Sequence, residues 1–343
     1  MHYLPFLRAQ GIECDVSSFF DAGYTRAVLA SGHKRWWRFA GSLVARFRAV
    51  ASARKYDLVV VHAEFVPFAP FAVERWLARM ATPYVVDFDD AFFHSYDAHP
   101  SWLVRRMFGR KLARLMAGAA VNVAGNEYVA EYARRVTDRV SVVPTVVDLK
   151  RFPDSPRAIL PRPFRIGWIG SPATTGHLQS VMGELAEFAR GRDVEILAIG
   201  AKPFDAAGAP IRFVEWNEST EVEELSSAHV GIMPLPDTPF ARGKCGFKLI
   251  QAMACWRPVI GSPVGANCQI VEHGVSGFLA RSGEWAAMLT RLYDDPGLAE
   301  SMGSAGRQSV ARSYSLEVWA PRLASLWVDA ARRAQKDKLD GNS

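Results

Sequence analysis

Cysteines are few in this chain and follow no recognisable spacing. Only four occur among 343 residues: Cys14, Cys245, Cys255 and Cys268. No two of them form the C-x-x-C pair that is typical of zinc sites and redox motifs. The sequence therefore predicts neither a structural metal site nor a disulfide framework, and it fits a reduced cytoplasmic setting.

Long apolar runs are also missing. The longest candidates are interrupted by Glu64 or Asn122, so no membrane-spanning helix is predicted. Met1 is not followed by a basic start and a long apolar core, so no signal peptide is predicted either. With 49% hydrophobic and 22% charged residues, the chain is predicted to be globular and large enough for two domains.

Acidic residues are absent from one basic segment, residues 33–55. It holds seven Lys or Arg residues, and Trp36, Trp37, Phe39 and Phe47 lie among them. Tryptophan beside basic residues is typical of a membrane interface, so we expect peripheral contact with the inner face of the plasma membrane. The alternative is a solvated amphipathic helix that packs on its own sheet. No nucleic-acid recognition motif is present, so no such partner is predicted.

The charge is unevenly distributed along the chain. Residues 1–160 hold 22 Lys and Arg residues against 15 Asp and Glu, whereas the rest of the chain holds 19 against 20. The first half is therefore the basic half, and a contact with an anionic surface is expected there.

Short apolar strands alternate with helical patterns along the whole chain. This alternation predicts an α/β protein with parallel sheets that are covered on both faces. We expect domains at residues 1–158 and 159–313, with a helical segment at 314–334. The predicted strands are 13–17, 56–62, 82–88, 120–124, 140–144, 164–170, 195–200, 211–214, 230–234, 258–261 and 277–280. The predicted helices are 3–10, 69–81, 102–117, 127–135, 178–190, 284–294, 296–313 and 315–333, with a frayed tail at 336–343.

The most informative stretch is residues 243–279. It is predicted to form a loop with Gly243 and Gly246, then a helix, a buried strand and a second glycine turn. The glycines let the backbone approach a ligand closely. A helix N-terminus next to Lys244 and Lys248 combines a positive dipole end with two ammonium groups. This combination favours an anion-binding site.

This stretch resembles the donor-binding region of glycosyltransferase family 4, whose members are retaining enzymes with the GT-B fold. The resemblance implies two Rossmann-like, doubly wound parallel-sheet domains with a cleft between them. It also implies transfer of a sugar from a nucleotide-diphosphate sugar to an acceptor, without a metal or other cofactor. The basic, tryptophan-containing segment 33–55 favours a glycan or lipid-linked acceptor in cell-envelope polysaccharide synthesis. The residues that carry the resemblance are Phe247, Lys248, Ala252, Met253, Ala254, Pro258, Val259, Gly265, Ile270, Val271, Gly274, Gly277 and Phe278.

The chain departs from the family pattern at three positions and at its beginning. The family's two glutamates fall at Gly243 and Gln251, and a glycine before the Pro-Val pair is assigned to Arg257. The family's first strand and glycine-rich loop are expected before residue 1, because the chain begins inside what resembles the first helix. A start codon assigned too late, or a natural truncation, would explain this.

The donor side of the site is predicted in the second half of the chain. Lys248 matches the family's lysine and is predicted to neutralise the leaving diphosphate, with Lys244 and Arg242 as helpers. The turn after residue 169 is expected to bind phosphate, and the helix and the later glycine turn to bind ribose. The further donor-binding candidates are Gly170, Ser171, Thr174, Gly246, Phe247, Gln251 and Glu272.

The acceptor side is predicted at the ends of strands in the first half. Asp89 falls where the family commonly has a histidine, so Asp89 and Asp90 are predicted to be catalytic, with Asp90 as a helix cap as the alternative. With Asp87 they also resemble a metal site, but the D-x-D motif of metal-dependent enzymes belongs to another fold, so no metal is predicted. The further acceptor-side candidates are His62, Glu64, His94 and Asn126.

Two other functions remain open at this point. A non-catalytic partner subunit is suggested by Gly243, Gln251 and the missing first strand. A GT-B sugar-phosphate epimerase would rely on a histidine, and it would tolerate the substitution Lys248→Ala.

Overall fold

The computed structural model describes residues 3–19, 36–67, 69, 71, 75, 82–156, 162–206 and 208–340, and the side chains of all of these except 36–40 and 337–340. The chain divides into two compact units. The first contains Met1–Val143 and Ala320–Ser343, and the second contains Pro144–Trp319. Among the described residues, no helix combines the length and apolarity needed to cross a membrane. Most of the predicted helix 69–81 lies outside the described residues.

The first unit is built on a parallel sheet of four strands in the order β1-β2-β3-β4. The register pairs His62 with Asp87 and Asp87 with Val123, so three strands end at the same edge. Residues on both faces are buried, as expected for a parallel sheet covered by helices. The strands are β1 (Val59–His62), β2 (Tyr84–Phe88), β3 (Val121–Ala124) and β4 (Val140–Val142).

Two of the elements predicted for the first unit differ from the structure. Residues 13–17 form no strand. The predicted helix 102–117 is two helices, because the chain turns at Gly109 and Arg110. The helices of this unit are α1 (Tyr3–Ala9), α2 (Trp36–Ala51), α3 (His94–Asp97), α4 (Trp102–Phe108), α5 (Lys111–Gly118) and α6 (Glu127–Arg134).

The second unit contains a parallel sheet of six strands in the order β10-β9-β8-β5-β6-β7. Trp168, Phe188 and Trp285 are among its largest fully buried side chains. Because β5 lies between β8 and β6, the loops after these strands meet at one edge of the sheet. The strands are β5 (Phe164–Ile169), β6 (Val194–Ile199), β7 (Ile211–Val214), β8 (Val230–Met233), β9 (Val259–Gly261) and β10 (Gly277–Leu279).

The helices predicted for the second unit are observed, except that residues 178–190 lie in two helices separated at Ser180 and Val181. Four short helices at 221–226, 239–242, 247–254 and 267–270 complete the loops after the strands. The helices are α7 (Thr175–Gln179), α8 (Met182–Ala189), α9 (Glu221–Ser226), α10 (Pro239–Arg242), α11 (Phe247–Ala254), α12 (Asn267–Ile270), α13 (Trp285–Asp294) and α14 (Pro296–Ser313).

The last helix, α15 (Leu316–Asp340), continues through most of the segment that was predicted to fray. Leu323 and Ala330 are buried in a cluster with Val85, Val121 and Val123 of the first unit's sheet. This packing explains why the chain returns to the first unit after completing the second.

Candidate functional site

The loop from Gly243 to Gly246 leads directly into helix α11. Gly246 caps this helix with a left-handed backbone, φ 70°, and a Cβ there would overlap the Ile270 side chain. Both constraints require glycine. The positive end of the α11 dipole therefore lies at Gly246 and Phe247.

Lys248, in the first turn of α11, is directed at the loop after β5. Its Nζ lies 4.1 Å from the centre of the Trp168 ring and 3.3 Å from Thr174 Oγ1. A Cβ at Gly170 would lie 2.5 Å from that same Nζ. The absence of a side chain at Gly170 therefore keeps the space in front of the ammonium group open.

The electrostatics of this site are those of a concentrated positive charge. Burial, and secondarily the charge of Lys244, lower the pKa of Lys248 to about 7. Burial also lowers the pKa of His177, with further contributions from both lysines. An arriving anion would reverse this effect on Lys248, because an opposite charge favours the protonated amine.

An aromatic surface lies beside this anion site. Gly200, after β6, has φ 75°, and a Cβ there would lie 3.1 Å from the Trp216 Cβ and would overlap the Gly170 carbonyl oxygen. Trp216 follows β7 and is 49% exposed, and its indole N–H donates to Glu221 Oε2 at 2.8 Å. The ring is therefore held in one orientation while part of its surface remains open to solvent.

The remaining donor candidates occupy different environments. Ser171 is exposed, and its backbone N–H donates to Thr174 Oγ1 at 3.2 Å. Glu272 is exposed, whereas Gln251 is only 5% exposed on α11. Phe247 and Lys244 are half-buried, and the Lys244 Nζ lies 4.8 Å from the centre of the Phe240 ring.

The position of the family glycine needs a correction. The residue with a left-handed backbone is Trp256, with φ 62°, and not Arg257, which is buried. The Trp256 indole N–H donates to the Pro153 carbonyl oxygen at 2.9 Å, and the Arg307 guanidinium lies 5.5 Å from its ring. These contacts hold a conformation that is unfavourable for a bulky residue.

In the first unit, a histidine and two aspartates meet at the carboxyl ends of β1 and β2. His62 Nδ1 lies 3.9 Å from Asp87 Oδ2, and His62 Nε2 lies 3.9 Å from Asp89 Oδ1. Asp87 and then Asp89 raise the pKa of His62. Burial, opposed by the charge of His62, raises the pKa of Asp89. A Cβ at Gly125 would lie 2.7 Å from the Asp89 carbonyl oxygen, so this glycine allows the loop its position.

The turn that follows His62 is strained and is held by a buried network. Ala63 has φ 57°, and the Glu64 N–H donates to the His62 carbonyl oxygen at 2.8 Å, which is a γ-turn of the rare, strained kind. Glu64 accepts a hydrogen bond from Tyr96 and forms a 2.7 Å ion pair with Lys111. Lys111 is 2% exposed, so its charge is neutralised by Glu64 inside the protein.

The other acceptor-side candidates have structural partners. His94 Nδ1 lies 2.7 Å from Asp97 Oδ1, and Nε2 lies 2.9 Å from the Tyr128 hydroxyl. The Asn126 side chain caps α6 by accepting from the Val129 N–H. Helix α3 is capped by Phe93 and not by Asp90, whose N–H donates to Asp89 Oδ1. The described residues contain no cluster of three potential metal ligands.

Four residues of these sites were not predicted from the sequence. Trp168 and Lys111 occur in patterns that predict only a buried strand and a basic helix. His177 and Trp216 follow strand ends, and that position is the one signal in the sequence that points to them. Trp168, Lys111 and His177 depend on residues that are far away in the sequence.

Each half of the chain matches a family model of known glycosyltransferases. Residues 3–151 match the family model described as Glycosyltransferase Family 4, and residues 163–295 match the model described as Glycosyl transferases group 1. The D-inositol 3-phosphate glycosyltransferase of Paenarthrobacter aurescens is 28% identical over 260 residues, which are 64% of this chain and 59% of that protein. The N-acetyl-alpha-D-glucosaminyl L-malate synthase of Bacillus anthracis is 30% identical over 97 residues, which are 27% of this chain and 26% of that protein. The chain thus spans less than two thirds of the length of these relatives.

Solved structures with the same fold include sucrose-phosphate synthase from Thermosynechococcus elongatus. Its TM-score is 0.67 at 18% identity, covering 84% of this chain and 77% of that one. HepE from Anabaena, in complex with UDP and glucose, has a TM-score of 0.64 at 16% identity and covers 82% and 80%. Two all-parallel α/β units with these neighbours define the GT-B class of glycosyltransferase folds. Within that class, the chain belongs to the group 1 glycosyltransferases of family 4.

Proposed function

We propose that this chain transfers a sugar from a nucleotide-diphosphate sugar to a glycan or lipid-linked acceptor in cell-envelope polysaccharide synthesis, with retention at the anomeric carbon. The observation that carries the proposal is the Lys248 ammonium group, which lies against Trp168 and Thr174 in front of Gly170. Burial and the charge of Lys244 lower the pKa of Lys248 to about 7, which disfavours the protonated amine. A bound diphosphate would place negative charge beside Lys248 and favour the protonated form.

The second unit would bind the donor without a metal or other cofactor. Lys248 and Lys244 provide positive charge, and the N-terminus of α11 provides backbone N–H groups and a favourable dipole. As the glycosidic bond to the diphosphate breaks, charge develops on the leaving phosphate oxygens, and these fixed groups stabilise it. A bound diphosphate also keeps Lys248 protonated above pH 7.

The base and ribose would lie beside the diphosphate at the same edge of the sheet. Trp216 offers a flat aromatic face for stacking, because its indole is fixed by Glu221 while half of the residue is exposed. Glu272 is exposed and is our candidate for the ribose hydroxyls. The presence of UDP in the HepE structure supports a nucleotide donor for this fold.

The first unit would bind the acceptor. Asp89 and His62 lie together at the ends of β1 and β2, where a carboxylate can orient an acceptor hydroxyl or stabilise positive charge at the anomeric carbon. Glu64 would act through its buried pair with Lys111, which fixes the turn after His62. A lipid-linked acceptor would suit a peripheral contact through residues 33–55, because helix α2 exposes Val44, Phe47 and Arg48.

A transfer assay tests the proposal. The full chain is incubated with UDP-, GDP-, ADP- and dTDP-sugars and an acceptor fraction extracted from bacterial membranes, and release of nucleoside diphosphate is measured. We expect release with one nucleotide class, loss of at least about ten-fold in activity in Lys248→Met, and normal activity in the exposed control Lys150→Met. Retention is checked from the anomeric proton coupling of the product. Interconversion of a free nucleotide sugar without an acceptor would instead indicate an epimerase.

A further inference from the structure

Helix α4 of the first unit carries large apolar side chains on its outside. Trp102 is 66% exposed, Met107 is 58% exposed and Leu103 is 50% exposed. None of the seven residues of this helix is buried. Scattered single apolar residues are normal on a protein surface, but three on one turn and a half of helix form a contiguous patch.

The helical spacing places these side chains on one face. Residues 102, 103, 106 and 107 lie within about 140° of one another around a helix axis, so Arg106 stands among the three apolar residues. We call Trp102, Leu103, Arg106 and Met107 the α4 face. The opposite side of the helix holds Val104 and Phe108, which pack against the first unit's core. The helix is therefore anchored on one side and presents the α4 face to the outside.

The chain segment that carries the α4 face is basic. Residues 98–126 contain five Lys or Arg residues and no Asp or Glu. Of these, Arg106 and Arg110 are exposed, whereas Lys111 is buried against Glu64. Tryptophan, leucine and methionine beside exposed arginine make up the composition of a helix that lies in the interface of an anionic bilayer.

We propose that the α4 face is a membrane-docking surface that inserts Trp102, Leu103 and Met107 among the headgroups of anionic lipids while Arg106 and Arg110 contact their phosphates. The surface is separate in sequence from residues 33–55, and the proposal extends the peripheral membrane contact named under the proposed function. It does not depend on donor chemistry. An anionic bilayer is favoured over a protein partner because it matches both the apolar side chains and the exposed arginines of this basic segment.

Co-flotation of the full chain with vesicles tests the proposal. The vesicles contain phosphatidylcholine alone or phosphatidylcholine with 30% phosphatidylglycerol. We expect binding to the anionic vesicles, at least about ten-fold weaker in Trp102→Ser/Met107→Ser because two apolar side chains no longer enter the interface. Arg106→Glu should weaken binding by at least about five-fold. The controls Val136→Ser and Arg190→Glu change exposed residues outside the α4 face and should bind as the wild type does.

A fluorescence experiment locates the contact directly. Brominated lipid in the anionic vesicles should quench part of the tryptophan emission of the wild type. Trp102→Phe keeps an apolar ring but should lose that quenched component. Circular dichroism and the melting temperature confirm that each variant is folded, and UDP-sugar binding, measured separately, reports on the donor site.

Three results would overturn the proposal. The first is wild-type binding that does not depend on phosphatidylglycerol, or no binding at all. The second is unchanged vesicle binding in the α4 variants, with loss in Phe47→Ser/Arg48→Glu, which would assign the contact to residues 33–55 alone. The third is wild-type self-association that the α4 variants abolish, which would identify a second copy of the chain as the occupant. Donor binding that persists through these results separates them from failure of the proposed function.

Discussion

Lys248 is expected to lower the free energy of unfolding of this protein while it contributes to donor binding. Its amine has an ordinary pKa of 10.5 in the unfolded chain, and burial together with Lys244 lowers its pKa to about 7 in the folded protein. Below pH 7 the folded protein must therefore hold a charged amine in an unfavourable position. Lys248→Met keeps an unbranched side chain, shorter by the ammonium group, and removes the charge, so we expect the variant to be more stable and to bind the donor more weakly.

The magnitude follows from the two pKa values. Their difference corresponds to about 5 kcal/mol at 1.36 kcal/mol for each pKa unit. Because Lys248 is partly exposed, solvent screening reduces this figure, and we expect a gain of about 2 kcal/mol below pH 7. For a unit of this size that corresponds to an increase of roughly 4–8 °C in the melting temperature.

The dependence on pH has a defined sign. Between pH 7 and 10.5 the unfolded chain binds a proton at Lys248 that the folded protein does not, so the stability of the wild type rises with pH in this window. The advantage of Lys248→Met should therefore be largest near pH 6 and should shrink towards pH 9. Differential scanning calorimetry of the wild type, Lys248→Met and the exposed control Lys150→Met measures this at both pH values.

The same samples should be titrated with the donor nucleotide. We expect Lys248→Met to lose about 1.5–3 kcal/mol of binding free energy, because a charge-assisted contact to phosphate is removed. The reasoning would be refuted if Lys248→Met were less stable than the wild type at pH 6, or if its advantage did not change between pH 6 and pH 9.

Three further predictions concern the surroundings of the two sites. Gly170→Ala should weaken nucleotide binding by about ten-fold in calorimetric titration, because its Cβ would lie 2.5 Å from Lys248 Nζ; unchanged binding would contradict the geometry. Lys111→Met should lower the free energy of unfolding, measured in urea, by about 3–5 kcal/mol, because it leaves the Glu64 carboxylate without its buried partner. Adding Glu64→Gln removes that charge and should restore at least about 1 kcal/mol. If the losses of the two single variants simply add, the ion pair does not stabilise the protein. His62 has a raised pKa, so its stabilising contribution is complete below pH 6.5 and is lost as the pH rises through the higher folded value. His62→Gln should therefore lose less stability than the wild type between pH 6 and pH 8 in thermal scans.

The repeating strands and the donor loop could be predicted from local sequence alone. Parallel strands buried on both faces leave continuous apolar runs, and all the strands of the second unit were predicted within about two residues of their observed ends. The helix that begins after Gly246 was predictable because glycine, lysine and the following apolar spacing are all local signals.

Breaks inside helices were less accessible to sequence analysis. The apolar spacing continues through Gly109 and through Ser180–Val181, although one helix ends and another begins at both points. A helical period on both sides of such a turn does not show whether the two helices are collinear. Residues 13–17 alternate as a strand does, but they have no strand partner among the described residues.

The contacts that determine the local chemistry of the two sites could not be predicted from the spacing of residues in the sequence. Trp168 under Lys248, and Lys111 paired with Glu64, join residues that are 80 and 47 positions apart. The family's glycine was assigned to Arg257, whereas the left-handed backbone is at the neighbouring Trp256. Long-range packing, and not local propensity, decides these features.

The central claim is that the second unit binds a nucleotide-diphosphate sugar through Lys248. The most direct measurement is the change in melting temperature of the full chain with UDP-, GDP-, ADP- and dTDP-sugars, for the wild type, Lys248→Met and Lys150→Met. We expect one nucleotide class to stabilise the wild type and Lys150→Met, and to shift the melting temperature of Lys248→Met much less. Cooperative melting of the wild type that no donor shifts would contradict the account, and it would favour a non-catalytic partner subunit.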